Sequence, residues 1–335
     1  MFRTVGSRCP FVEVAFLLIT PALLAQRPGT DCSKLVVNRT YVNSFEGFNN
    51  FPLAFQAIGI PVPPGVGIEP VGGGGTVTFL PGGKVAMKET IAIGLMGLNK
   101  DASMPGTYSL TWDASKDPIV CTGSITGTET VAGMSMPIHF QLIVSPDGQQ
   151  VQMIHTDTGL MVGVTTQQIS HNACSNFSIG ATYSYNAMGW LLVGPGTVPP
   201  EQMVGGYIPF AMSGAMRFYP QTPASVSDFP ESPSGAKLVK AWDTPSQGGQ
   251  ILPRTMTGWY LVNHDCTGMI VLRDSLGNPD FQLEMFIGAE GQTVYFTNVN
   301  DAVDLGNGVS TPPIILGVKL DRMDLVPWPG AMEHR

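Results

Sequence analysis

Charged side chains are scarce in this sequence. They make up 13% of 335 residues, about half the roughly 25% of an ordinary globular protein. Long solvent-facing helices draw on Glu, Lys and Arg for propensity and solubility, so the shortage argues against a helical architecture. Lys and Arg number 17 against 25 Asp and Glu, a formal net charge of −8. With no basic stripe, a nucleic-acid partner is not expected. Also missing are the Gly-x-Ser-x-Gly elbow, His-Glu-x-x-His, the Walker loop and the dinucleotide fingerprint, so no residue stands out as catalytic and no cofactor is implied. No Cys-x-x-Cys and no neighbouring pair of His marks a metal site.

Long apolar runs are absent too, apart from Phe11 to Leu24, and that one is broken by Glu13 and Thr20. It is too short to cross roughly 30 Å of hydrocarbon. Arg3 and Arg8 precede it, and Ala25 stands before Gln26. Residues 1–25 therefore read as a secretory signal peptide, which places the mature chain outside the cytoplasm, extracellular or periplasmic, in a bacterial source. No membrane span is expected after cleavage.

What is plentiful is glycine (40) and proline (28), within a chain of 43% hydrophobic residues. That mixture suits many short strands joined by turns. The chain also carries the same landmarks twice. Gly106-Thr107-Tyr108, Cys121-Thr122-Gly123, Phe140-Gln141-Leu142, Gly148-Gln149 and Gly163-Val164 return as Gly258-Trp259-Tyr260, Cys266-Thr267-Gly268, Phe281-Gln282-Leu283, Gly291-Gln292 and Gly317-Val318. Upstream, Cys32-Ser33, Thr40-Tyr41 and Gly47 return as Cys174-Ser175, Thr182-Tyr183 and Gly189 at the same spacing. An internal repeat of this length is a duplicated domain rather than a solenoid. The predicted organisation is a signal peptide (1–25), a first repeat (26–170), a second repeat (171–325) and a C-terminal tail (326–335).

Of five cysteines, Cys9 leaves with the signal peptide. Cys32 and Cys121 fall in the first unit, Cys174 and Cys266 in the second, each pair enclosing a stretch of similar length. In an oxidising compartment this predicts one disulfide per unit. Four free thiols or a set of metal ligands are the alternatives.

Alternation marks the strands. Leu35 to Phe45 reads as a first strand, the glycines 72–75 open another over Thr76 to Leu80, and Lys84 to Ile93 follows with Val85, Met87 and Glu89 on one face. Phe51 to Val71 reads as a proline-rich loop over one end of the sheet. A long hairpin runs from Ile138 to Thr156 around Pro146-Asp147-Gly148, with a counterpart around Glu290-Gly291. The last strands are Leu160 to Thr166 and Ile314 to Leu320. Eight antiparallel strands per unit fit either an up-and-down β-barrel or a β-sandwich. The barrel is favoured, because successive hairpins show no long crossover and closure removes exposed edges.

In these Gly-x-Tyr, Cys-Thr-Gly and long-hairpin blocks the chain resembles a set of secreted bacterial proteins of unknown function. More distantly it is similar to lipocalin-like barrels, whose Gly-x-Trp has its nearest counterparts here in Gly189-Trp190 and Gly258-Trp259. The first resemblance implies no activity; the second implies the barrel shape.

Candidate sites are few. His139 and His155 flank the long hairpin, but a register that puts the apolar residues of both arms on one face pairs Leu142 with Met153 or Val151 and sends the two His to opposite faces. Asn298, Asn300, Asp301, Asp304 and Asn307 form an oxygen-rich stretch that suits turns as well as calcium. Trp190, Tyr207, Phe210, Met212, Met216, Phe218 and Trp242 make the second unit rich in large adaptable groups, the material of a pocket for an apolar ligand or of a plain core. Two functions follow: a secreted, non-enzymatic binding protein holding a small apolar ligand, with the second barrel as the expected place, or a structural protein contacting matrix, glycan or a partner protein. A cavity inside a barrel favours the first, and filled barrels favour the second.

Overall fold

The computed structural model describes residues 31–323, apart from short stretches of which 63–66, 116–119, 170–172, 194–202, 225–227, 276–280 and 305–309 are the longest. The proposed signal peptide, the tail beyond 323 and most of the linker Ser170–Ala173 lie outside the described residues. The fold is all-β: two antiparallel barrels of eight strands each follow one another along the chain.

A 3-10 turn, Cys32–Leu35, leads into the first barrel. Its strands are β1 Arg39–Asn50, β2 Ile68–Leu80, β3 Lys84–Ile93, β4 Gly97–Asp113, β5 Val120–Val131, β6 Met134–Val144, β7 Val151–His155 and β8 Leu160–Gln168. Each pairs with the next, and β8 closes on β1, with Phe45 opposite Val164. The second barrel uses β9 Thr182–Leu192, β10 Tyr207–Pro223, β11 Lys237–Gln247, the two-residue β12 Gln250–Ile251 beside it, β13 Arg254–Val262, β14 Thr267–Asp274, β15 Phe281–Gly288 and β16 Thr293–Asn298. The short pair β17 Val303–Asp304 and β18 Ser310–Thr311 precedes β19 Ile314–Arg322, which pairs with both β16 and β9 and so closes the ring.

Both barrels share one kind of floor. Tyr41 stacks edge-on against Phe79 and Phe79 against Tyr108, at 5.6 and 5.0 Å; Tyr183, Phe218 and Tyr260 repeat the arrangement at 5.6 and 5.0 Å. The Tyr41 hydroxyl donates to the Gly148 carbonyl at 2.7 Å, and Tyr183 donates to Gly291 at 2.6 Å. Each ring thus buries its apolar body while its hydroxyl finds a partner at the hairpin turn. At this end lie the disulfides Cys32–Cys121 and Cys174–Cys266, closing loops of 89 and 92 residues. These are the pairings expected from the sequence.

Two elements differ from the sequence reading. The proline-rich segment after β1 begins with a helix, α1 Phe51–Ala57, whose Phe51 and Phe55 plug the far end of the first barrel. The glycines 72–75 lie inside β2, not ahead of it. Their lack of side chains serves close approach. A Cβ on Gly72 would lie 3.0 Å from Ile315, and one on Gly74 would meet Phe286 and Thr297, all residues of the second barrel. Here the barrels meet: Val42, Phe286 and Tyr295 form one buried cluster, Ala92, Tyr207 and Ile315 another, and Thr90 donates to Glu284 at 2.6 Å.

Candidate functional site

Strand alternation aims Phe45 and Asn49 of β1, Glu89, Ile91 and Ile93 of β3, Met104 of β4, Glu129 of β5, Phe140 of β6, His155 of β7 and Val162 and Val164 of β8 into the first barrel. They enclose a cavity of about 280 Å³ above the Tyr41–Phe79–Tyr108 floor. Ala54 of α1 covers it, and Pro137, Asp157 and the exposed Thr158 form its rim.

Among its described residues the second barrel is nearly filled: between Tyr185, Met212, Met216, Arg254 and Phe281 only about 20 Å³ remains. The ladders explain the difference. With the aromatic floors as anchors, Gly73 occupies the place of Met212, Asn43 that of Tyr185, Ala102 that of Arg254 and Gly127 that of Leu272. At four inward positions the first barrel has the smaller side chain. The same alignment places Leu283, not Phe281, at the position of Phe140. The repeated Phe-Gln-Leu triplet is two residues out of step, a slip that keeps every side chain on its face and so leaves no trace in the alternation.

The seven residues expected to line a pocket in the second barrel do not come together. Met212 and Met216 touch the 20 Å³ space, Phe218 belongs to the floor, and Phe210, on the same strand face, is partly buried against the core. Tyr207 is buried against Ala92 and Ile315 of the barrel contact, Trp190 meets Phe48 edge-on with centroids 4.7 Å apart, and Trp242 is 48% exposed. Their bulk does the opposite of what the composition suggested. Met212, Met216 and Phe218 fill the barrel, and Tyr207 and Trp190 join it to the first.

Within the cavity the polar groups are two carboxyls, an amide and an imidazole. Burial pushes the Glu89 carboxyl up to about 8, with the neighbouring charge of Glu129 adding to it, and pushes Glu129 up to about 7. The Asn43 amide donates to Glu89 at 3.0 Å. Asn49, 4% exposed, has a buried Oδ1 without a partner. His155 stacks on Phe140 with ring centroids 4.2 Å apart, and burial lowers its pKa to about 4 against the opposing pull of Asp157. It is therefore neutral at neutral pH. Asp157 accepts from Nδ1 of His139 at 2.6 Å and from Nδ1 of His155 at 3.3 Å, and from the His139 backbone N–H at 2.6 Å. With its proton on Nδ1, His155 has a bare Nε2 acceptor.

The hairpin register is the expected one, Leu142 opposite Met153, and the two His do leave on opposite faces. They meet nonetheless, because Asp157 lies past the end of β7 and its carboxylate reaches round the strand. Among the described residues no cluster of His, Cys, Asp and Glu has the form of a metal site. In the oxygen-rich stretch, Asn298 donates to the Ile314 carbonyl at 2.8 Å and Asn300 accepts from the Gln282 N–H at 3.0 Å, so both serve the backbone. Asp301 and Asn307 lie outside the described residues.

The sequence held a signal for part of this site. Glu89 shares a strand face with Val85 and Met87, a carboxyl on an apolar face. Glu129 and Asn49 carried none, since both sit where a strand reaches the barrel's far end among Thr, Gly and Asn. No protein-family model, curated protein or solved structure matches this chain.

Proposed function

We propose that this chain is a secreted, non-enzymatic binding protein that holds one small, largely apolar ligand inside its first barrel. The observation that carries the reading is the contrast between the barrels, about 280 Å³ of open interior in one and about 20 Å³ in the other. Sites for small molecules usually occupy roughly 300–1,000 Å³, walled by apolar groups with a few converging polar ones. The first barrel lies just below the lower bound of that range, with Phe45, Ile91, Met104, Phe140 and Val164 as walls. Two disulfides accord with an oxidising, extracytoplasmic setting, and among the described residues no helix is long and apolar enough to cross a membrane.

Isothermal titration calorimetry of the full chain with 2-phenylethanol tests the proposal. One saturable site per chain is expected. Val164→Phe, which fills the first cavity, abolishes it, while Met212→Arg in the second barrel leaves it in place. No saturable heat, or binding lost in Met212→Arg and kept in Val164→Phe, would overturn the assignment.

A further inference from the structure

The second barrel contains its own answer to a pair of buried acids. Arg254 of β13 donates from Nε to Asp243 at 2.7 Å, from Nη2 to the other oxygen of Asp243 at 3.1 Å, and from Nη1 to Asp274 at 2.9 Å. The side chains of Asp243 and Asp274 are 0% exposed, and the guanidinium lies 4.9 Å from the centroid of the Phe281 ring. Tyr185 donates to Asp243 at 3.0 Å. Two carboxylates thus share one cation clamped between them, which gives each buried acid a charged hydrogen-bonding partner.

The first barrel repeats the acids without the cation. Glu89 pairs with Gly75 and Ala102 as Asp243 pairs with Gly214 and Arg254, and Asn43 donates to Glu89 from the position of Tyr185. Glu129 lies two residues beyond Gly127, as Asp274 lies two beyond Leu272. Where Arg254 would stand is Ala102, 5% exposed. Among the described residues no Lys or Arg lines the cavity. A second observation points the same way: the buried Oδ1 of Asn49, without a partner, lines the space that Glu89 and Glu129 border.

Resting on the reading of the first barrel as a binding site, we infer that its ligand is a small organic cation, an ammonium or guanidinium group on an apolar body. The charged group lies between Glu89 and Glu129 with Asn49 as a further acceptor, in the role Arg254 plays in the second barrel. The apolar body lies against Phe45, Ile91 and Phe140. An anion meets two carboxyls and no donor cation. A neutral molecule supplies no counter-charge to either carboxyl.

The test is calorimetric titration of the full chain with three probes of one shape: 2-phenylethylammonium, 2-phenylethanol and 3-phenylpropionate. The amine is expected to bind at least about tenfold more tightly than the alcohol, the gain of charge-assisted hydrogen bonds over neutral ones, and the carboxylate not at all. Glu129→Gln lowers the affinity for the amine at least tenfold and narrows its lead over the alcohol. Ala102→Arg, which restores the internal cation of the second barrel, abolishes amine binding and checks the same point from another strand. Alcohol binding as tight as amine binding would overturn the cation and leave the cavity reading standing. A tighter amine unaffected by both variants would overturn the assignment to these carboxyls. Heat from none of the probes would overturn both readings together.

Discussion

Arg254 and Ala102 hold equivalent places on β13 and β4, and much of the difference between the barrels turns on that exchange. In the second barrel the guanidinium is only 8% exposed and both of its acidic partners are fully enclosed. Removing one member of such a set leaves bare charge in the interior, so Arg254→Met is expected to cost about 3–5 kcal/mol. Denaturant unfolding measures it, and a loss below about 1 kcal/mol would mean that the acids find water instead. In the first barrel the unpaired acids respond to pH. A carboxyl whose folded pKa is raised contributes stability that is full below its unfolded pKa, 4.5, and is lost as pH rises through the folded value. For Glu89 that window runs up to about 8 and for Glu129 up to about 7. His155 acts oppositely: its pKa falls from 6.5 to about 4, so its contribution is lost as pH falls through that interval. The remaining groups at the cavity are His139 and Asp157. Between pH 6.5 and 8 the carboxyls therefore dominate the cavity's contribution, and the ligand-free chain should melt lower as pH rises. Glu89→Gln should flatten that slope; a melting profile unchanged by the substitution would contradict the account.

At the scale of the element, β2 does two jobs on its two faces. Gly73 leaves room inside for Phe45, while Gly72 and Gly74 let β15, β16 and β19 of the second barrel lie against the strand. Gly74→Val adds atoms where a Cβ alone already meets Phe286 and Thr297, and overpacking of this kind costs about 1–3 kcal/mol. Thermal unfolding checks it, and a Val variant as stable as the parent would show that the contact is loose. Such an element is hard to read ahead of the fold. A run of four glycines has no alternation, and its use depends on a surface more than two hundred residues later in the chain. By contrast β3 was legible to the residue, Lys84–Ile93, because its pattern is local and bounded by a glycine turn. The long hairpin was legible for the same reason, and Leu142 opposite Met153 followed from the apolar faces alone. Helix α1 was hidden by the prolines around it. The cavity was hidden more deeply, because it arises from small residues at Gly73, Ala102 and Gly127, and a missing side chain leaves no signal. The seven large residues of the second unit pointed the wrong way for the matching reason: bulk fills space.

For the whole molecule, the barrels face each other across an apolar contact. Val42, Phe286 and Tyr295 are buried in it, as are Tyr207 and Ile315. Segments 26–170 and 171–325, each with its own floor and disulfide, are expected to fold cooperatively when expressed separately and to associate on mixing. Sedimentation measures this, and halves that stay apart would show that the linker alone holds the barrels together. Opening either disulfide by a double Cys→Ala exchange is expected to cost about 2–5 kcal/mol. Of the two barrels the first is hollow and the second filled. A crystal structure of the full chain soaked with 2-phenylethylammonium tests that most directly. Ligand density is expected in the first barrel, its nitrogen between Glu89 and Glu129, with Arg254 unchanged and no ligand in the second. Density in the second barrel, or a first barrel collapsed around Ile91 and Met104, would contradict that expectation.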